Sequence, residues 1–423
     1  MAGVAPLTAS WRNAQVLRWS LFDVASSTWI ALVPSFFGLY FVNVIGAGQP
    51  QAGALWGATA AASLVLVALL APAVGAWADR GGRWVRVIAL CTAVCVAATL
   101  LLPYSAAAGL LAAALLFVLA QAGYTLATSQ YDALIVRVVA PGQASRASAL
   151  AWAIGLGGGV LGLGAALWLM HGVPSAAQAA RLPPQFLLAG LLFVALSLPG
   201  LVALHRLLRS AAPDAAAASV SEPTGPLAAL RAVGRTCRDW RRHRIAFTLL
   251  LGFFLVNDVL VTLQFFSGIL LRDRFALDIE KLLWLSLLFH LVALPSTVLA
   301  GQVADRVGAG RTLVGMCAVL AAALLLLAHG TAPWTPAAAA VLLGLVFASL
   351  QAVFRALYAA HVPPAQMAEL FGFNAVAGRL SAALGPLVFG VAAALLGTSS
   401  ALMLMLLPLA AGALVLLRVP ARS

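Results

Sequence analysis

Apolar residues run along this chain in blocks of about 20, the length a helix needs to cross a hydrocarbon layer of ~30 Å. The blocks lie near 19–44, 53–77, 84–104, 108–135, 147–170, 186–208, 245–271, 281–303, 311–329, 336–360, 369–396 and 399–417. Short polar turns separate them, and no stretch alternates at period two, so an outer-membrane barrel is excluded. The pattern predicts an all-α polytopic membrane protein with twelve transmembrane helices.

The polar interruptions carry a repeat. "GAWADRGGRWVR" (75–86) and "GQVADRVGAGRT" (301–312) share a Gly-x-x-x-Asp-Arg-x-Gly frame, with Asp79 and Asp305 separated by just over half of the 423 residues. Cys91 and Cys317 repeat the same offset, and "VAPGQ" (139–143) returns nearly in step as "VPPAQ" (362–366). Two six-helix halves in the same orientation follow, related by an axis along the membrane normal. Between them the Ala/Ser/Pro-rich stretch "RSAAPDAAAASVSEPTGP" reads as extended or disordered. "LAALRAVGRTCRDWRRHR" then reads as a basic amphipathic segment on the membrane surface or a topology anchor. The expected organisation is a first bundle over 1–208, a linker over 209–244 and a second bundle over 245–423.

Composition agrees, since 63% of residues are hydrophobic, 9% are charged and the mean hydropathy is +1.03. The net charge of +13 would suit a nucleic-acid partner, but its placement argues otherwise. Most of the 25 Lys+Arg residues fall in the tails and in the loops on the terminal side. Arg181, Arg272, Arg274 and Lys281 fall on the other side, and Arg355 and Arg379 within spans. That bias predicts both termini in the cytoplasm, in a bacterial inner membrane, with no nucleic acid bound. No cleavable signal peptide is expected, because the first block is too long and follows a polar tail with Arg12 and Arg18. Cys91, Cys95, Cys237 and Cys317 make no disulfide or metal pattern. No Walker loop is present, and the six scattered histidines offer no catalytic or metal spacing. No enzyme activity, cofactor or metal is therefore expected.

Polar residues inside the spans are the candidate site, because hydrocarbon penalises them unless they face a cavity or a partner. Gln121, Tyr124, Thr128 and Asp132 fall on one face of the fourth span, and Gln351 and Arg355 occupy matching positions in the tenth. Asp132 and Arg355 are expected to pair across the halves when the cytoplasmic side closes. Asp258 and Arg379 reach the bilayer midplane and are expected to pair, with Asn257 and Gln264 completing a polar site. Asp23 is a second candidate proton carrier. His290 reads either as a relay or as a hydrogen-bonded structural residue. "GLGGGVLG" (155–162) marks a face for close helix packing rather than a phosphate cradle.

These residues resemble a known family. The loop Gly75, Asp79, Arg80, Gly82, Arg83 is similar to the G-x-x-x-D-[RK]-x-G-[RK] signature of the major facilitator superfamily. Its second copy keeps Gly301, Asp305, Arg306 and Gly308, with Ala309 at the last basic position. "LFDVASSTWIALVPSFFGLYF" (21–41), "FFLVNDVLVT" (253–262) and "FGFNAVAGRLSAALGPLVFG" (371–390) resemble the vacuole-effluxer-like branch, fungal members of which are implicated in amino-acid export. Val24 and Ser26 stand where that branch has Trp and Asn, and Leu156 where Tyr is common.

The resemblance implies the major facilitator fold, alternating access by a monomer, and a gating role for Asp79, Arg80, Arg83, Asp305 and Arg306. The expected function is secondary transport of a small solute, an amino acid or related metabolite, coupled to protons. Drug or lysolipid efflux, a sensor and a passive channel are the alternatives.

Overall fold

The computed structural model describes residues 14–79, 83–134, 144–210, 238, 241, 244–361, 378–379 and 381–418. The first six helices are α1 (Ala14–Tyr40), α2 (Ala52–Asp79), α3 (Trp84–Leu101), α4 (Ser105–Ala133), α5 (Ala144–Met170) and α6 (Leu182–Ser210). The second six are α7 (Arg244–Phe275), α8 (Ile279–Val307), α9 (Ala309–His329), α10 (Thr335–His361), α11 (Leu384–Leu396) and α12 (Thr398–Leu417). Among the described residues nine stretches are long and apolar enough to cross a membrane. One of them, Trp84–Ala133, is 50 residues long and contains both α3 and α4, which pack on each other after a turn at Leu102–Tyr104. Ile154–Met170 and Leu384–Leu396 are shorter apolar helices. No strand occurs among the described residues.

Apolar side chains cover the bundle outside as well as inside, as lipid-facing helices require. Leu111, Trp168 and Leu395 are exposed, while Trp29, Trp56, Phe37 and Phe117 are fully buried. Tight turns keep neighbours antiparallel. In the second Asp-Arg-x-Gly loop Gly308 takes φ +97, a backbone region that side chains disfavour, and joins α8 to α9 alone.

Helix pairing repeats from half to half. In the first six helices α1 packs on α5 and α6, α4 on α2 and α3, and α3 on α6. Six helices later α7 packs on α11 and α12, α10 on α8 and α9, and α9 on α12. The halves meet through α1 with α7, α2 with α11 and α5 with α8, a set that maps onto itself under the same shift. This is the two-fold relation that the repeated motif predicts. Most of linker 209–244 and the start of the predicted eleventh span fall outside the described residues.

Glycine sets how closely the helices approach. On α5 a Cβ at Gly158 would strike the Val24 carbonyl of α1, and one at Gly162 would sit 3.2 Å from Thr28. A Cβ at Gly57 on α2 would strike the Pro386 carbonyl of α11, and one at Gly390 would lie 2.8 Å from the Gly53 carbonyl. Gly157, by contrast, faces open space. The glycine-rich run of α5 is thus a packing face, as its spacing predicts. Gly158→Ala should lower stability by about 1–3 kcal/mol through overpacking, while Gly157→Ala leaves it unchanged. Thermal unfolding of both variants in one detergent checks the contrast.

Candidate functional site

A cavity of about 470 Å³ lies between the halves. Its walls come from α1, α4 and α5 on one side and α7, α8 and α10 on the other. Of the residues expected to form a site, Asp23, Tyr124, Thr128, Asp132, Gln264 and Gln351 all line it. Ser26, Ser27, Gln121, Ser267, Ser286 and His290 add polar wall, and Phe36, Phe265, Phe289 and Phe347 add aromatic wall.

Asp23 is held from α4: the Tyr131 hydroxyl donates to its Oδ2 at 3.0 Å. Tyr131 in turn stacks on Phe22, with ring centroids 4.6 Å apart. Tyr124 stacks on Trp29 at 4.5 Å, and the Trp29 indole N–H donates to Thr99 Oγ1 at 2.8 Å. The floor of the site is therefore fixed by aromatic contacts between α1 and α4. Thr128 turns its hydroxyl back to the Tyr124 and Thr125 carbonyls.

One expected pair is rearranged. Asp258 does not meet Arg379; its Oδ1 accepts from the Gly385 backbone N–H at 2.7 Å. Helix α11 begins at Leu384, so Asp258 satisfies an amide that the helix start leaves without an intrahelical partner. A Cβ on Gly385 would lie 2.7 Å from Asp258 Oδ1, so the close approach of α7 requires glycine there. Arg379 instead donates through Nη2 to Ser129 Oγ on α4, across the halves. Neither Asn257 nor Asp258 belongs to the cavity wall. Matching estimated depths placed Asp258 and Arg379 together, but depth alone does not fix which way two helices turn their faces.

Asp132 is exposed into the cavity and is attracted electrostatically by both Arg355 and Arg379. Among the described residues it forms an ion pair with neither; the direct Asp132–Arg355 contact is expected of the state in which the cytoplasmic side is closed. Asp305, Arg306 and Arg83 are exposed at the terminal side. Among the described residues Asp305 makes no hydrogen bond or ion pair. Arg80 and the Asp79 side chain lie outside the described residues.

Among the described residues, most direct contacts between the halves lie at the side away from the chain ends, whereas the Arg379–Ser129 bond lies nearer the other side. Ser35 and Ser267 hydroxyls are 2.8 Å apart, and the Gly268 N–H donates to Ser35 Oγ at 3.0 Å. The Trp56 indole N–H donates to the Phe265 carbonyl at 2.9 Å. Gln178 Oε1 accepts from the Glu280 N–H at 3.1 Å at the start of α8, and Asn43 Nδ2 donates to Asp273 at 3.3 Å. His290 packs where a Cβ on Gly159 would come within 2.5 Å of its ring. Its Nδ1 lies 2.8 Å from the Ser286 carbonyl, which can only accept, so Nδ1 carries the proton. His290 is thus a hydrogen-bonded residue at the α5–α8 contact and part of the cavity wall. Sequence reasoning missed Tyr131, Ser35, Ser129 and Ser267. Tyr131 carried a usable signal, since it lies three residues beyond Thr128 on the same face of α4.

The Major Facilitator Superfamily profile matches residues 19–386 and 269–423. The chain belongs to this superfamily. It is a multi-pass membrane protein of the transporter class. An uncharacterized MFS-type transporter of Bacillus subtilis (strain 168), YxiO, is 26% identical over 392 residues, covering 90% of this chain and 89% of that protein. The fold matches the D323A variant of the nucleoside transporter NupG, with TM-score 0.70 and 15% identity over 96% of this chain and 99% of that one. It also matches a bacterial homolog of the human lysosomal transporter Spinster, inward-facing and unoccupied, with TM-score 0.68 and 17% identity over 97% of both chains. The xylose transporter XylE from E. coli, in a partially occluded inward-open conformation, matches with TM-score 0.68 and 14% identity over 96% of this chain and 97% of that one.

The Asp258–Gly385 contact has a direct consequence. Asp258→Asn keeps an acceptor for the Gly385 N–H, whereas Asp258→Ala leaves a buried donor unpaired at a cost of about 1–3 kcal/mol. Asparagine should therefore retain near-native thermal stability and alanine should lose it, measured side by side in detergent.

Proposed function

We propose that this chain is a secondary active transporter that carries a small organic solute through the cavity between its halves by alternating access. The observation that carries this reading is the pairing of a cavity walled by both halves with contacts that close them on the side away from the chain ends. A membrane carrier needs a central site and one sealed side at a time. The positive-inside bias assigns both termini to the cytoplasm of a bacterial inner membrane, so the described contacts between the halves close the outward side. A monomer suffices, since both walls come from one chain. The helix motifs around Asp23, Asn257 and Gly385 favour the vacuole-effluxer-like branch within the superfamily.

Alternating access requires the Ser35–Ser267 contact to break in each cycle. A Ser35→Cys/Ser267→Cys double variant, oxidised to a disulfide, should lose at least about 90% of solute counterflow in vesicles, because a hinge-closed carrier cannot turn over. Reductant should restore it. Full counterflow through the oxidised protein would sink the rocking mechanism and favour a passive pore.

Proton coupling is assigned to Asp23, the cavity carboxylate with a hydroxyl partner and, among the described residues, no cationic one. Intramembrane carboxylates in such a setting are suited to exchange protons as the cavity changes sides. Asp23→Asn should lose uphill accumulation under a pH gradient even at solute concentrations high enough to restore exchange across equal pH. Unchanged gradient-driven accumulation would reassign the carrier to Asp132 or remove coupling altogether.

A further inference from the structure

We infer that the solute is an amine cation with an apolar body, bound through Asp23 at the α1–α4 wall; this rests on the cavity being the transport site. Both formal charges on the wall are negative, Asp23 and Asp132, and no lysine or arginine among the described residues lines it. The two carboxylates are unequal. Asp132 already sits in the field of Arg355 and Arg379, whereas Asp23 has only the Tyr131 hydroxyl. Asp23 therefore retains acceptor capacity facing the cavity.

Hydrogen-bond accounting points the same way. Gln121 is 4% exposed, its Nε2 donates to Thr125 Oγ1 at 3.1 Å, and its Oε1 has no partner. That amide can turn over, because the Thr125 hydroxyl serves equally as donor or acceptor, so Gln121 sets no preference. His290 has its Nδ1–H spent on Ser286, which leaves Nε2 as an acceptor. Two hydroxyls on the same wall are committed as donors, Ser26 to the Asp23 carbonyl and Thr128 to the α4 backbone. Gln264, Gln351 and Ser27 can turn either way and set no preference. The groups of fixed polarity thus ask for N–H donors, which an ammonium supplies and a carboxylate does not. Tyr124, stacked on Trp29, offers an aromatic surface beside that charge, and Phe36, Phe289 and Phe347 enclose an apolar remainder.

A matched set of probes tests this on the purified full chain: phenethylamine, phenethyl alcohol, hydrocinnamate and phenylalanine, with binding followed by calorimetry and by thermal shift. The amine should bind at least about tenfold more tightly than the alcohol, as expected for a desolvated charge pair, and hydrocinnamate should give no shift. Phenylalanine should be weaker than the amine, because its carboxylate finds no cation. Asp23→Asn should bring the amine down to the level of the alcohol without changing the alcohol. Asp23→Ser, a second neutral variant, should weaken the amine to the same extent and guards against a folding defect in the first. Hydrocinnamate or phenylalanine binding as tightly as the amine would overturn the inference. So would an amine preference that survives in both variants, or no response to phenethylamine and tryptamine alike. Amine binding without counterflow in vesicles would keep the inference and remove the transport reading. Counterflow of the carboxylate probe alone would do the reverse.

Discussion

Lipid cannot satisfy a polar group at membrane depth, so each one must turn to a partner or a cavity inside the protein. An unpaired charge at the bilayer centre costs at least ~2.5–3.5 kcal/mol, and a chain with only 9% charged residues has little else to organise its interior. The polar groups consequently converge on the seam between two six-helix bundles. Asp23 meets Tyr131, Arg379 meets Ser129, Asp258 meets the Gly385 amide and Ser35 meets Ser267. Two of these four contacts join the halves, and one lies within each half.

Apolar packing cannot choose between lipid and protein by hydrophobicity alone, because lipid tails are as apolar as leucine. Close approach supplies the missing selectivity. Gly158 and Gly162 bring α5 onto α1, Gly57 and Gly390 bring α2 onto α11, and Gly159 makes room for His290. The same small residues serve two ends. Within a half they fix the bundle, and between halves they let two backbones touch without interlocking side chains, which suits contacts that must separate and re-form.

The two-fold plan is obeyed by the backbone and broken by the chemistry. Helix pairings repeat six helices later, yet Asp132 on α4 answers to Arg355 on α10, and Asp23 on α1 has no acidic counterpart lining the cavity from α7. Broken symmetry of charge at a symmetric seam gives the cavity a polarity: the carboxylates lie on the α1–α4 wall, and the facing wall of α7, α8 and α10 offers amides, hydroxyls, an imidazole and aromatic rings. A substrate held there is gripped unequally by the two halves, as a carrier that must release it requires.

The sequence determined the class, the helix count, the repeat and the residues of the cavity face, because each depends on periodicity or on local composition. Gln121, Tyr124, Thr128 and Asp132 share a helical phase, and that phase survives folding. Partner choice was not legible in the same way. The spacing placed Asp258 and Arg379 at one depth, but rotation of α7 and α11 about their own axes gave one the Gly385 amide and the other Ser129. Likewise the Gly-x-x-x-Asp-Arg-x-Gly turns were visible at once, while what Asp305 contacts depends on which end of the seam is shut. Phase along one helix is written in one dimension. Which faces meet, and on which side the halves close, emerges only when the helices pack against each other in three.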